Sequence, residues 1–195
     1  MRLGVFGGSF DPVHQGHMIL AQFALEQLEL DRVVYLPSFN PPHKQGQIAT
    51  SFEDRLRMLE LALEGRKGFS ISTLEALRSG PSYSLDSLDA IEKEYEVSKL
   101  YFLIGGDSLM GMEGWYKSEE LLRRFSFGVA PRPGRTRQEL EDKINQLGGD
   151  IVLIDSPKIE ISSSFIRKRL EEKKSISFLV PQAVEDYIYE KKLYR

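Results

Sequence analysis

The chain has 195 residues, no cysteine, and 26 Lys and Arg against 29 Asp and Glu, for a formal charge of −3. That length suits a single domain over residues 1–195 with a core that needs no staples; the missing cysteines exclude disulfides and thiolate metal sites, and the charge balance argues against a nucleic-acid-binding surface, though not against a local basic pocket. No apolar run approaches the roughly 20 residues of a membrane span and no signal-peptide core precedes the first strand, so a cytoplasmic protein with neither membrane nor nucleic-acid partners is expected.

The apolar run Leu3 to Phe6 reads as a buried first strand, and Met18 to Leu28 as a helix with Leu20, Phe23, Ala24 and Leu28 at helical spacing. Between them lies Gly7-Gly8-Ser9-Phe10-Asp11-Pro12-Val13-His14-Gln15-Gly16-His17. Strand, glycine turn, helix is the order in which α/β folds bind phosphate. Gly7 and Gly8 carry no Cβ and permit a sharp turn close to a ligand, Asp11-Pro12 is turn chemistry, and Gly16 and His17 open a helix whose exposed N–H groups favour an anion. His14 and His17 are three apart and can face one ligand. An imidazole titrates near ~6.5, and a phosphate beside it favours the protonated, donating form. A tight turn with two polar helix-start residues is the bland alternative; two of the chain's three histidines in one glycine turn favour a phosphate site. His17 is expected to have no apolar neighbour that requires it.

This segment resembles the GxFDPxHxGH signature of the nucleotidyltransferases, its last four residues matching HxGH as His14-Gln15-Gly16-His17. The resemblance implies a fold similar to class I aminoacyl-tRNA synthetases and histidines that hold the phosphates of a nucleoside triphosphate during attack on its α-phosphorus. It names no substrate.

Arg32 to Leu36 reads as a second strand ending at Pro37, followed by a long loop through Phe39-Asn40-Pro41-Pro42-His43-Lys44. Paired prolines stiffen it, and loops of such length are commonly functional. A helix is expected from Ser51 to about Gly65, with Ser51 and Asp54 as cap and dipole partner. Phe69 to Ser72 reads as a third strand, Ser79 to Ser82 as a turn, and Tyr83-Ser84 as the lead into a helix carrying Leu85, Leu88 and Ile91. Leu100 to Ile104 is the most apolar run, hence a central strand, broken at Gly105-Gly106-Asp107. A helix at Ser118 to Arg124, a strand at Phe125 to Ala130, a turn at Arg132-Pro133-Gly134, a helix at Gln138 to Leu147 and a strand at Ile151 to Ile154 follow. Ser162-Ser163-Ser164 caps a basic helix, Phe165 to Glu172, whose charge run is read as a solvated face, and Pro181 fits the first position of a last helix. Strands alternating with helices imply an α/β fold, a single-domain doubly wound, mostly parallel sheet with helices on both faces. Ligands in such sheets sit at the strands' carboxyl ends, at the switch in strand order, where Gly7–His17, Pro37–Lys44, Gly105–Asp107 and the Ser162 segment all fall.

Four further stretches narrow the family. Pro41-Pro42-His43-Lys44 resembles the PPHK string of the bacterial nicotinate mononucleotide adenylyltransferases, Arg78 to Ser84 their RxGPSYT, Ile104 to Asp107 their IGAD or IGGD segment, and Ile161 to Arg167 their ISSTxIR. Ser84 and Ser164 stand where the family usually has threonine, which keeps the hydroxyl. The resemblance implies transfer of AMP from ATP to nicotinate mononucleotide, with His14, His17, Lys44 and Arg167 as the phosphate-holding groups. It implies Gly7, Gly8, Ser9, Phe10, Gly106, Ser163 and Ser164 at ATP, and Tyr83, Ser84, Asp107, Trp115, Tyr116 and Arg132 at the mononucleotide. Trp115, otherwise readable as a core or interface aromatic, would pack on the pyridine ring. Ser84, Trp115 and Tyr116 would supply donors for its carboxylate, with no Asp or Glu among them. Magnesium would arrive on ATP, since no carboxylate cage is apparent. A homo-oligomer is compatible with the sequence, which does not specify one. Phosphopantetheine adenylyltransferase shares the first motif but lacks the later ones, and a nucleotide-sensing module without catalysis would not need His14, His17 and Arg167 together. The glycine turn is not GxGxxG, which disfavours a dehydrogenase, and no GxxxxGK[ST] supports a P-loop enzyme.

Overall fold

Strands and helices alternate along the chain in the computed structural model, which describes residues 1–40, 48–77, 80–131 and 134–194. The first half runs β1 (Arg2–Gly8), α1 (Gln15–Gln27), β2 (Arg32–Pro37), α2 (Phe52–Leu63) and β3 (Phe69–Ile71). The second runs α3 (Ser84–Glu94), β4 (Lys99–Gly105), α4 (Gly106–Met110), α5 (Ser118–Arg124), β5 (Ser126–Ala130), α6 (Arg137–Leu147) and β6 (Ile151–Leu153), followed by α7 (Ser163–Glu171) and α8 (Gln182–Lys191). The sheet order is β3-β2-β1-β4-β5-β6 and every pairing is parallel. Strand order therefore reverses between β1 and β4, which opens a crevice at their carboxyl ends.

The apolar runs are continuous because the strands are covered on both faces. In β4, Leu100, Phe102 and Ile104 pack with α3, α5 and α6 residues such as Leu88, Leu121 and Leu140. Tyr101 and Leu103 face the opposite core with Ala24 of α1, Leu59 of α2, Ile166 of α7 and Ile188 of α8. Two glycines make this packing close. A Cβ on Gly4 would lie 2.7 Å from Leu30, and one on Gly128 2.8 Å from Leu103.

Ser51 caps α2, its side chain accepting from the Asp54 amide at 3.0 Å, as its position before the apolar run predicts. Most boundaries shift by a residue or two from the sequence reading, and three differences concern how helices start. Helix α1 begins at Gln15, three residues before the apolar pattern starts, because a first turn built on a capping residue carries no apolar signal. Gly105 to Asp107 is no loop: β4 passes directly into α4, with Gly105 as its N-cap. Pro181 sits at the N-cap of α8 and not within it. Among the described residues no helix is long and apolar enough to cross a membrane.

Candidate active site

The crevice at the β1–β4 reversal is a cavity of about 560 Å³. Its floor is the end of β1 and the turn after it. Gly7, Gly8, Ser9 and Phe10 line it, as do His14 and His17. Neither glycine adopts a left-handed conformation; that role falls to Phe10, with φ 48°. Phe10 folds its ring back over Gly8, where a Cβ would meet ring carbons at 3.1 to 3.3 Å. The glycines are thus needed for room beneath aromatic rings, a correction to the sharp-turn argument. The strain of Phe10 is offset by its burial, at 1% exposure, in the aromatic cluster of Phe6 and Tyr35.

His14 is the N-cap of α1 and is buried, at 2% exposure. His17 stands at the third helical position, its ring stacked on that of His14 at 3.6 Å. The backbone N–H of His14 donates to His17 Nδ1 at 3.2 Å. An Nδ1 that accepts carries no proton in neutral imidazole, which puts the proton on Nε2. His17 also lies edge-on to Phe10 at 5.0 Å and Phe6 at 5.7 Å. The expectation of no apolar neighbour is therefore wrong: an imidazole that must be aimed is held by aromatic edges.

The start of α7 closes one side. Ser162 caps the helix, accepting from the Phe165 amide at 3.2 Å, and Ser163 Oγ donates to the Pro12 carbonyl at 2.9 Å. That hydroxyl is committed to the loop, so the first-turn N–H groups are what α7 offers an anion. Arg167 lines the cavity and donates from Nη1 to the Asp11 carbonyl at 2.8 Å. Ser164 lines it too.

The other side comes from α3 and the segment after α4. Tyr83 and Tyr116 stack at 4.5 Å, 28° apart. Trp115 is half-buried and edge-on to Phe102 at 6.2 Å. Ser84 and Asp107 complete that wall. The turn before Trp115 is pinned because Glu113 pairs with the buried Lys143 at 2.8 Å. Gly106 is not part of the lining: it is buried against Leu140 and the Ala130 carbonyl of β5, since as first residue of α4 it faces the neighbouring strand. Lys44 and Arg132, with the PPHK string and Arg78-Ser79, lie outside the described residues.

Sequence reasoning missed several groups. Glu75, on a single 3-10 turn at Leu74–Leu77, lines the cavity near Tyr83, which corrects the expectation that no carboxylate stands there. Each oxygen accepts one internal hydrogen bond, from Ser87 Oγ at 2.8 Å and the Phe39 amide at 3.1 Å. Arg55, fully buried, donates to the carbonyls of Ser9 and Ser38 at 2.8 Å each. It thereby ties the loop after β1 to the loop after β2. Burial pulls its pKa below the ordinary guanidinium value, against the opposing pull of Asp11, Tyr194, Glu53 and Glu75. Asp11, buried at 1% exposure, accepts from Ala49, Thr50 and Tyr194. The only available signal was the Asp-Pro pair, which read as a turn.

A family model described as cytidylyltransferase-like matches residues 5–169. The chain belongs to this cytidylyltransferase-like family. Relatives within it include a protein of Thermomicrobium roseum, 41% identical over 100% of this chain and 92% of its own length. Another, of Caldicellulosiruptor saccharolyticus, is 40% identical with 100% of both chains covered. Both bear the name "Probable nicotinate-nucleotide adenylyltransferase". The solved nicotinic acid mononucleotide adenylyltransferase of Plasmodium falciparum complexed with NaAD superposes with a TM-score of 0.80. It is 22% identical, with 99% of this chain and 97% of that one covered, and so speaks for the fold. The GxFDPxHxGH residues, at the first βα turn, form the floor of the cleft in this member of the family.

Proposed function

We propose that the chain transfers AMP from ATP to nicotinate mononucleotide, giving nicotinate adenine dinucleotide and pyrophosphate, in the cytoplasm. The supporting observation is that the His14–His17 turn, the start of α7 with Arg167, and the aromatic wall of Tyr83, Trp115 and Tyr116 line one cavity. A phosphate-binding end and a ring-binding end suit the joining of two nucleotides. In the reaction an oxygen of the mononucleotide phosphate bonds to the α-phosphorus of ATP while the bond to the β-phosphate oxygen breaks. The nucleophile has a second pKa near ~6 and is mostly deprotonated at neutral pH, so no side-chain base is required. What remains is to hold two anions in line and to stabilise charge gathering on pyrophosphate. In this reading His17 Nε2, Arg167 and the first-turn amides of α7 donate there, with Lys44 as a further cation by family resemblance.

Among the described residues no three His, Asp or Glu side chains group so as to hold a metal ion. Magnesium would arrive on the triphosphate, and when bound would supply charge stabilisation to the leaving pyrophosphate.

Acid selectivity follows from the wall. The Ser84 hydroxyl and the indole and backbone N–H groups of Trp115 and Tyr116 would donate to a carboxylate, whereas the NH₂ of a nicotinamide ring would bring a donor against them. One mispaired buried group costs roughly 1–3 kcal/mol, which sets a preference of about tenfold or more in kcat/KM for the acid. Incubation with magnesium-ATP and equal concentrations of the two mononucleotides, with separation of the dinucleotides, tests this. Absence of pyrophosphate release, or a product dominated by the amide, would overturn the proposal.

Trp115→Ala is expected to raise KM for the mononucleotide by about tenfold, from loss of ring stacking worth roughly 1 kcal/mol plus buried area, and to leave KM for ATP within about twofold. Steady-state titration of each substrate measures both. Equal increases would remove Trp115 from the ring site.

A further inference from the structure

Asp11 collects three donors from two segments far apart in the chain. Its Oδ1 accepts from Thr50 Oγ1 and from Tyr194 Oη, each at 2.6 Å, and its Oδ2 from the Ala49 amide at 2.7 Å. Arg167 stands beside this carboxylate without being spent on it. Its Nη1 donates to the Asp11 carbonyl at 2.8 Å and lies 3.8 Å from Oδ2. Among the described residues that guanidinium makes no other hydrogen bond, and it borders the cavity.

Tyr194 reaches this position by an unusual backbone. Lys192 and Tyr194, after α8, both have left-handed φ values, 54° and 62°, and the Leu193 amide bonds back to the Ile188 carbonyl at 3.1 Å, a helix ending of the Schellman kind. Non-glycine residues hold such angles only where their surroundings enforce them. Burial, reinforced by Asp11, pushes the phenol well above its ordinary pKa, so Tyr194 remains a donor at all working pH values.

We infer that Tyr194 is a positioning residue: by satisfying Asp11, its hydroxyl leaves the outer donors of Arg167 for a nucleotide phosphate. The physical argument is competition. A buried carboxylate that loses a donor draws on another within reach, and Arg167, with Nη1 already 3.8 Å from Oδ2, has a planar fork that pairs readily with a carboxylate. Removal of the phenol therefore turns the guanidinium inward, onto Asp11 and away from the cleft. This rests on the reading of Arg167 as a phosphate-holding group.

The test is calorimetric binding of magnesium-ATP to the full chain without mononucleotide, for wild type, Tyr194→Phe, Arg167→Lys and the double variant. Tyr194→Phe keeps the ring and should weaken ATP binding about tenfold, while binding of nicotinate mononucleotide alone changes less than about twofold. With Arg167→Lys already present, Tyr194→Phe should have little further effect, because a lysine has no fork to lose. Thr50→Val, which removes the other Oδ1 donor, should weaken ATP binding in the same way. Unchanged ATP affinity in Tyr194→Phe overturns the inference, as does an equal loss in both Arg167 backgrounds. A wild-type chain that binds magnesium-ATP but forms no dinucleotide would overturn the proposed reaction and not this role.

Discussion

His17→Ala should lower turnover by about 10²–10³-fold, the loss typical when one aimed donor to developing charge is removed. Proton on Nε2, acceptor at Nδ1 and a ring wedged against Phe6, Phe10 and His14 make this imidazole an aimed donor. The same contacts mean the substitution is not silent for stability. It removes the acceptor for the His14 amide at the start of α1, an interaction worth about 1 kcal/mol, which for a chain of this size lowers the melting point by roughly 2–4 °C. Measuring kcat well below that melting point, beside the folded fraction from circular dichroism, separates the two effects. A turnover loss no larger than the loss of folded protein would make the histidine structural.

The largest stability effect is expected at Arg55. Arg55→Met leaves the Ser9 and Ser38 carbonyls without their donor and strips a buried cation from the neighbourhood of Asp11 and Glu75. Each buried carbonyl left without a donor costs about 1–3 kcal/mol, and methionine, though of similar length, offers no donor. Urea denaturation should show a lower midpoint with an unchanged slope, since the surface exposed on unfolding is nearly the same. Loss of less than about 1 kcal/mol would mean that other groups, or water, satisfy the two carbonyls. Because Ser9 and Ser38 border the cavity, the surviving folded protein should also bind ATP more weakly.

What could be read in the sequence was what repeats locally. Leu100 to Ile104 announces a buried strand by five apolar residues in succession, and Ser51 announces a helix start by standing before a periodic pattern. The floor was proposed from a glycine turn with two histidines, whereas the α7 wall and the aromatic wall were proposed because short strings there resemble those of a known family. The scaffold beneath was illegible for the opposite reason. Asp11 takes its partners from 39 and 183 residues away, and nothing near Thr50 or Tyr194 marks them as donors to a buried carboxylate. Phe10 is another case: a left-handed phenylalanine is set by what packs over it, and the adjacent glycines drew attention to the wrong positions. His17 misled in a third way, since its aromatic neighbours Phe6 and Phe10 both precede it in sequence and meet it only once the turn has closed.

The central position of β1 also divides the molecule in time. Its pairing with β2 joins Leu3 to Arg32, whereas its pairing with β4 joins Arg2 to Lys99. Closing the longer loop costs roughly 1 kcal/mol more in chain entropy by the logarithmic rule, so the β1-α1-β2-α2-β3 half is the cheaper to assemble and must wait with one edge of β1 bare. That edge is a row of unmet amides and carbonyls, open to the wrong strand until β4 docks. The crevice is therefore also the seam whose closure costs the most chain entropy, and a ligand spanning it would fasten together the pairing that topology makes most expensive.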